Sequence, residues 1–298
     1  MTACSDKVFN LFIKRSRMRV GWQVSTLDID SYRYHFLDNQ KGDEVIVLLH
    51  GFGADKDNWN KFAAELKDSH RLIAIDLPGF GENKRDTNLN YSIQEQAKRI
   101  HILLHQLIPN KKFHIVGNSM GGAIAGTYSI LFQEDVQSLL FIATAGLRSP
   151  ERSDFELKIK EGINPLLVNS PEDYERLLKY IFFNPPAMPS SISEYLGERA
   201  LKDREFNKKV MKDIRADIFF LEKNLEKIQS PLLVLWGDTD RVLHPSATIS
   251  IQSRIPSAKI IVLKDCGHVP MMEKAEEAAG YYEEFLKTIV LNNNAYQK

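Results

Sequence analysis

The chain has 298 residues, long for one compact domain and short for two full ones. Hydrophobic residues make up 43% of it and charged residues 26%, the balance of an ordinary globular enzyme. Lys+Arg and Asp+Glu stand at 39 each, which excludes a bulk electrostatic pull on nucleic acid, and the only cysteines, Cys4 and Cys266, exclude a disulfide framework or a cysteine-rich zinc spacing.

No apolar run approaches the length needed to cross a bilayer. The first segment is amphipathic instead. Val8, Phe9, Leu11, Phe12 and Ile13 are apolar, and Lys14, Arg15, Arg17 and Arg19 follow at once. Residues 8–19 therefore have two readings: peripheral contact with an anionic membrane surface, or a helix packed on the domain with its charges in water. Thr2-Ala3-Cys4 also resembles the end of a bacterial lipoprotein signal, which would put a lipid on Cys4.

Tyr32–Leu37 alternates loosely and reads as a strand; Glu44–Leu49 is a near-continuous apolar run, as expected of a strand buried on both faces. It ends in His50-Gly51-Phe52-Gly53. A helix is expected around Trp59–Leu66, then a strand at Arg71–Ile75 closed by Asp76-Leu77-Pro78-Gly79-Phe80-Gly81. Ser92 opens a helix running to about Leu107, with Glu95 at capping-box spacing. The strand Phe113–Gly117 runs into Gly117-Asn118-Ser119-Met120-Gly121-Gly122, and Val136–Thr144 is the next strand. From 147 to 228 the pattern turns helical, with pieces at Phe155–Lys160, Tyr174–Phe183 and Glu198–Lys212. Strand–helix alternation then resumes with Pro231–Gly237, Pro245–Arg254, Lys259–Leu263 and a closing helix over Glu273–Val290. The expected architecture is α/β: a mainly parallel sheet flanked by helices. The lead-in would span 1–25, the core 26–146 and 229–298, and an inserted helical cap 147–228.

Gly-x-Ser-x-Gly between a strand and a helix is the context of a nucleophile elbow, in which a strained turn lifts the Ser119 hydroxyl above the sheet edge. A serine hydroxyl needs a base, and the base an orienting carboxylate. Among eight histidines, His101 and His105 have the i, i+4 spacing of a metal pair, but no carboxylate or cysteine is in view to complete it, so a helix-surface role is expected. His268, in Asp265-Cys266-Gly267-His268, follows the last strand and falls on the edge where loops after parallel strands gather. Asp240, in Trp236-Gly237-Asp238-Thr239-Asp240, is the expected acid; Asp238 reads as a turn residue. The order Ser119, Asp240, His268 follows. Backbone N–H groups of Met120 and Phe52 are the expected oxyanion donors, with His50 bracing the Phe52 loop.

With these motifs in place, HGFG at 50–53, DLPGFG at 76–81, GNSMGG at 117–122, WGDTD at 236–240 and CGH at 266–268, the chain resembles the α/β-hydrolase superfamily. It is most similar to the monoacylglycerol-lipase-like and bacterial lipase-esterase branch. The resemblance implies the α/β-hydrolase fold and a serine carboxylester hydrolase working through an acyl-enzyme, with monoacylglycerols or short-to-medium acyl esters as substrates and no metal or organic cofactor. Gly51, Val242 and Val269 beside the motifs, and Phe182, Phe183 and Met188 from the insertion, are expected to contact substrate. An imidazole base ordinarily titrates near ~6.5, so turnover is expected to fall in acid. Two other readings stand: a carbon–carbon bond hydrolase of ring-cleavage products, a branch similar at GNSMGG, Asp-x-x-Arg-Val and CGH, and a low-turnover small-molecule binding protein of the same fold.

Overall fold

A computed structural model describes residues 2–295. Helix α1 (Thr2–Val20) leads into a hairpin of β1 (Gln23–Ile29) and β2 (Tyr32–Asp38). Next come β3 (Val45–Leu49), a 3-10 turn at Lys56–Trp59 continuing as α2 (Asn60–Leu66), β4 (Arg71–Ile75), α3 (Ile93–Leu107), β5 (Phe113–Asn118), α4 (Met120–Leu131) and β6 (Val136–Ile142). Helices α5 (Asp154–Lys160), α6 (Asp173–Ile181), α7 (Ser190–Lys202), α8 (Arg204–Arg215) and α9 (Phe220–Lys223) follow before β7 (Leu232–Gly237). The chain continues through α10 (Thr248–Arg254), β8 (Lys259–Leu263), α11 (Pro270–Glu273) and α12 (Ala275–Ala295).

All eight strands form one sheet in the order β1-β2-β4-β3-β5-β6-β7-β8. β2 runs antiparallel to β1 and β4; every other pairing is parallel. The inner strands are apolar throughout because both faces are covered. Alternate side chains separate cleanly: Val45, Val47, Leu49, Ile115, Leu139 and Phe141 join the core under α3 and α4, while Ile46, Leu48, Val116, Leu140 and Ile142 join the core with Trp59 of the 3-10 turn, Phe62 of α2 and Tyr282 and Phe285 of α12. Ser92 caps α3, its hydroxyl accepting from the Glu95 N–H.

Several elements depart from the sequence expectation. β1 was not foreseen. It lies at the sheet edge, mostly exposed, and its apolar residues Val24, Leu27 and Ile29 do not alternate regularly, so there is little pattern to read, and the lead-in ends before Gln23 instead of at 25. The helix expected at Glu198–Lys212 is two, broken at Asp203, and α7 starts earlier, at Ser190. Nothing local enforces that break; Asp203 is held from outside by Arg85, at 2.7 Å. The closing helix is interrupted at Lys274, with Pro270 opening α11 separately. The lipid expected on Cys4 concerns a side chain outside the described residues.

The backbone is packed very closely where β5 turns into α4. A Cβ added at Gly121 would overlap the backbone carbonyls of Leu49, the last residue of β3, and His50, the next residue, and one at Gly117 would overlap the backbone of Gly121. Gly121→Ala is therefore expected to lower the urea midpoint by the equivalent of about 1–3 kcal/mol, the usual cost of overpacking. Gly280→Ala, on an open face of α12, should be neutral or stabilising by up to about 1 kcal/mol through helix propensity. Equal destabilisation by the two would mean that steric closeness at the turn is not the constraint.

Candidate active site

Ser119 sits between β5 and α4 with φ 54° and ψ −118°, a left-handed backbone that a non-glycine residue adopts only at a cost of about 1–3 kcal/mol. Backbone hydrogen bonds hold it there. The Ser119 N–H donates to Ile142 O at 3.0 Å, and its carbonyl accepts from Gly122 at 3.0 Å, Ala123 at 3.1 Å and Ala145 at 2.9 Å. The side chain is thereby presented at the carboxyl edge of the sheet, at the N-terminus of α4, where the helix dipole favours negative charge.

His268 lies in the loop after β8, at the same edge. Its Nδ1 donates to Asp240 Oδ2 at 2.8 Å. The other Asp240 oxygen accepts the N–H groups of Val242 (2.8 Å) and Leu243 (3.0 Å), which fixes the orientation of the buried carboxylate. With its proton on Nδ1, the neutral imidazole leaves a lone pair on Nε2. Asn118, the residue before Ser119, joins the two loops: its Nδ2 donates to Ile142 O at 3.0 Å and to His268 O at 3.1 Å. The His268 N–H donates to Ile181 O at 2.7 Å, the last residue of α6. Asp238 is exposed and accepts from the Cys266 N–H at 3.3 Å, bracing the β8–α11 loop.

The loop after β3 closes the other side. A Cβ on Gly51 would lie 3.3 Å from Ser119 Cβ, so this backbone runs directly against the serine. Among the described residues, neither the Phe52 N–H nor the Met120 N–H has a hydrogen-bond acceptor. His50 is fully buried under this loop: its Nε2 accepts the Leu77 N–H at 3.0 Å and its Nδ1 donates to Gly51 O at 2.8 Å. Accepting at Nε2 requires the neutral ring, and burial pushes its pKa down to about 4. Phe80 packs edge-on against both His50 and Phe52, at 5.7 Å each.

Sequence reasoning missed the polar framework beneath. Asp76, at the end of β4, accepts from Lys56 Nζ (2.6 Å) and from the backbone N–H groups of Lys56 and Glu82; the Lys56 ammonium also reaches Glu82 at 2.7 Å. Asn118 and Glu273 were also missed. Glu273 accepts N–H groups of Gly267 (2.8 Å), Phe183 (3.2 Å) and Asn184 (2.5 Å), tying the end of α6 to the His268 loop. The only signal for Asp76 and Asn118 was position: each ends a strand inside a glycine-rich motif.

The residues expected to contact substrate separate. Gly51 lies against Ser119, and Val242 is held by Asp240. Phe182 and Val269 are buried in the core on the α2 and α12 face, and Met188 packs against it. Phe183 borders an open hollow of about 330 Å³ with Phe182, Lys61 and Glu273, which none of Ser119, Asp240 and His268 lines. The expectation that His101 and His105 lack a carboxylate is overturned. Folding brings Asp135, thirty residues farther along the chain, within 3.2 Å of both rings.

The model of the alpha/beta hydrolase family matches residues 46–280. Lipase 1 of Psychrobacter immobilis is 35% identical over 81% of this chain and 76% of its own length. Human monoacylglycerol lipase ABHD6 is 30% identical over 93% of this chain and 86% of its own. The solved structure of a bacterial membrane phospholipase A superposes with a TM-score of 0.92 at 34% identity, over 96% of this chain and 92% of that one.

Two buried histidines make stability depend on pH. Burial lowers His50 and His114 each to about 4. Below the ordinary histidine range the unfolded chain takes up protons that the folded chain refuses. Their contribution is thus complete above about pH 6.5 and is lost as pH falls towards 4, at ~1.4 kcal/mol per pH unit for each ring. The urea midpoint should fall from pH 7 to pH 5, and more shallowly for His114→Asn, which has no proton to gain. An unchanged slope in that variant would refute the assignment.

Proposed function

The chain belongs to the alpha/beta hydrolase family, and from that premise we propose that it is a serine carboxylester hydrolase acting on lipid esters. What carries the reading is one edge of the sheet that holds a strained serine, a carboxylate-held imidazole whose loop is bonded to Asn118, and two N–H groups without acceptors among the described residues. In the proposed reaction Ser119 attacks the ester carbonyl while His268 Nε2 takes its proton. Asp240 holds the ring's tautomer and stabilises the imidazolium. The Phe52 and Met120 N–H groups receive the oxyanion, and His268 then protonates the leaving alcohol. Water attacks the acyl-enzyme through the same base. Monoacylglycerols or short-to-medium acyl esters are the proposed substrates; the relatives named above are lipases, which favours acyl esters over carbon–carbon cleavage.

A fluorophosphonate probe should label wild type and not Ser119→Ala, and that variant should lose about 10³-fold or more in kcat/KM on p-nitrophenyl esters with an unchanged circular dichroism spectrum. Asp240→Asn should lose about 10⁴-fold in kcat, since the wrong tautomer is then favoured. Absence of an adduct on Ser119 would favour a binding protein, and turnover of a ring-cleavage dienoate above that of a monoacylglycerol would favour the other hydrolase branch.

We also propose that α1 rests on an anionic lipid surface. No described helix is long and apolar enough to cross a membrane. Instead α1 exposes Val8 (53%), Leu11 (50%), Phe12 (63%) and Met18 (69%), with Lys14, Arg15 and Arg19 also exposed. The opposite side is fastened: Phe9 packs on Tyr195 at 5.9 Å, and Arg17 is bidentate to Asp57. Apolar insertion plus basic attraction suits a surface helix. The protein should sediment with vesicles containing anionic phospholipid and much less with purely zwitterionic ones, and Leu11→Glu/Phe12→Glu should abolish sedimentation while sparing turnover of a water-soluble ester. Undiminished sedimentation of that variant would remove α1 from the interaction.

A further inference from the structure

Four side chains outside the proposed active site converge at the far edge of the sheet. His101 and His105 lie one turn apart on α3, with ring centroids 4.1 Å apart. Asp135, in the turn between α4 and β6, presents one oxygen to both: Oδ2 is 3.1 Å from His101 Nδ1 and 3.2 Å from His105 Nε2. The same oxygen accepts the buried Tyr128 hydroxyl at 2.7 Å. His101 Nδ1 also lies 3.1 Å from the Tyr128 hydroxyl, so two imidazole nitrogens and a phenol crowd around one carboxylate oxygen. We propose that His101, His105 and Asp135 bind a divalent first-row transition ion of the zinc class.

The distances support this. Zn–N and Zn–O bonds are about 2.0–2.1 Å, so neighbouring ligands of a tetrahedral ion are roughly 3.3–3.4 Å apart. The two nitrogen–oxygen separations fall within a few tenths of an ångström of that edge, and the ligand atoms of all three residues lie within 4.8 Å of one another. Two imidazoles and one carboxylate suit Zn²⁺, Co²⁺ or Ni²⁺ and disfavour Mg²⁺, which seeks an all-oxygen shell. The site is also held from behind. Phe132 stacks on the His101 ring at 3.6 Å, nearly parallel at 6°, and Tyr128 orients Asp135. His105 is half-exposed and borders an open hollow of about 330 Å³ with Asp135, Lys111 and Lys112, which leaves room for ion entry and a water as fourth ligand.

Asp135 immediately precedes β6, at the amino end of the strands, whereas Ser119 follows β5 at the carboxyl end. The ion would therefore fasten the end of α3 to the α4–β6 turn and take no part in ester cleavage. Its effect is stabilisation by mass action.

The test uses the chelator-treated full-length protein. Calorimetric titration with ZnCl₂ should show one saturable site per chain, and Zn²⁺ but not Mg²⁺ should raise the melting temperature. Loss of an outer partner of a metal ligand already weakens binding about 10–100-fold. His105→Ala and Asp135→Asn, each removing a ligand, should weaken it by at least as much and lose the thermal shift. Their metal-free p-nitrophenyl ester turnover should equal that of wild type. Co²⁺ should give visible absorption bands of a four-coordinate ion, absent in His105→Ala. Absence of saturable Zn²⁺ binding, or binding unchanged in His105→Ala, would overturn the proposal, the second result placing the ion elsewhere.

Discussion

The left-handed backbone at Ser119 is the constraint on which the arrangement of the sheet's carboxyl edge depends. It is maintained by four backbone hydrogen bonds, one from the serine N–H and three to its carbonyl, and by side-chain-free closeness at Gly117 and Gly121. That closeness brings the carbonyls of Leu49 and His50 against α4, so the loop after β3 cannot move independently of the turn after β5. Gly51 then lies against Ser119, and the N–H groups of Phe52 and Met120 remain without acceptors beside it. Two N–H groups without acceptors among the described residues, beside a strained backbone, are an uncommon combination. Their coexistence is intelligible if both serve a transient negative charge, as the proposed mechanism requires.

The helices between β6 and β7 are fastened to this edge from several directions. Ile181 O accepts the His268 N–H, Glu273 binds backbone on both sides of the same junction, and Lys179 O accepts from Arg241 at 2.6 Å, one residue after Asp240. On the far side Asp217 accepts the Ile93 and Gln94 N–H groups at 2.9 Å each, supplying the start of α3 with a partner. The end of α6 thus sets the height of the His268 loop. A change there reaches the imidazole through backbone, without contact between side chains.

The core strands were readable because burial on both faces leaves an apolar run that little else produces; β4 and β8 begin and end where the pattern places them. Ser119, Asp240 and His268 were singled out because strand-end loops after parallel strands share an edge, a consequence of topology that needs no coordinates. What stayed hidden depends on pairings between distant residues. Asp203, at the break between α7 and α8, pairs with Arg85, 118 positions away, and the partner of His101 and His105 comes from a turn whose sequence, Gln133-Glu134-Asp135, carries no ligand signature. Phe182 and Met188 were expected to contact substrate because apolar residues in an insertion look alike whether they face substrate or core; in the fold Phe182 is buried in the core on the α2 and α12 face and Met188 packs against it.

The basic cluster of α1 shows how one such pairing fixes an orientation. Arg17 is drawn inward by a bidentate bond to Asp57 at 2.6 and 2.7 Å, with Glu82 at 3.4 Å, and the Asp57 hydrogen bond raises its pKa. Asp57 belongs to the 3-10 turn that follows the Phe52 loop, and Glu82 shares Lys56 with buried Asp76. Turning α1 about its axis would break that partly buried pair and expose Phe9, so the helix has one stable rotational setting. In that setting Arg15 and Arg19 face outward beside Leu11 and Phe12. The ion pair that anchors the helix to the 3-10 turn after the Phe52 loop is therefore also what turns its apolar, basic side away from the domain. A lipid surface meeting that side would act on a body already joined, through Arg17 and Asp57, to the proposed oxyanion loop.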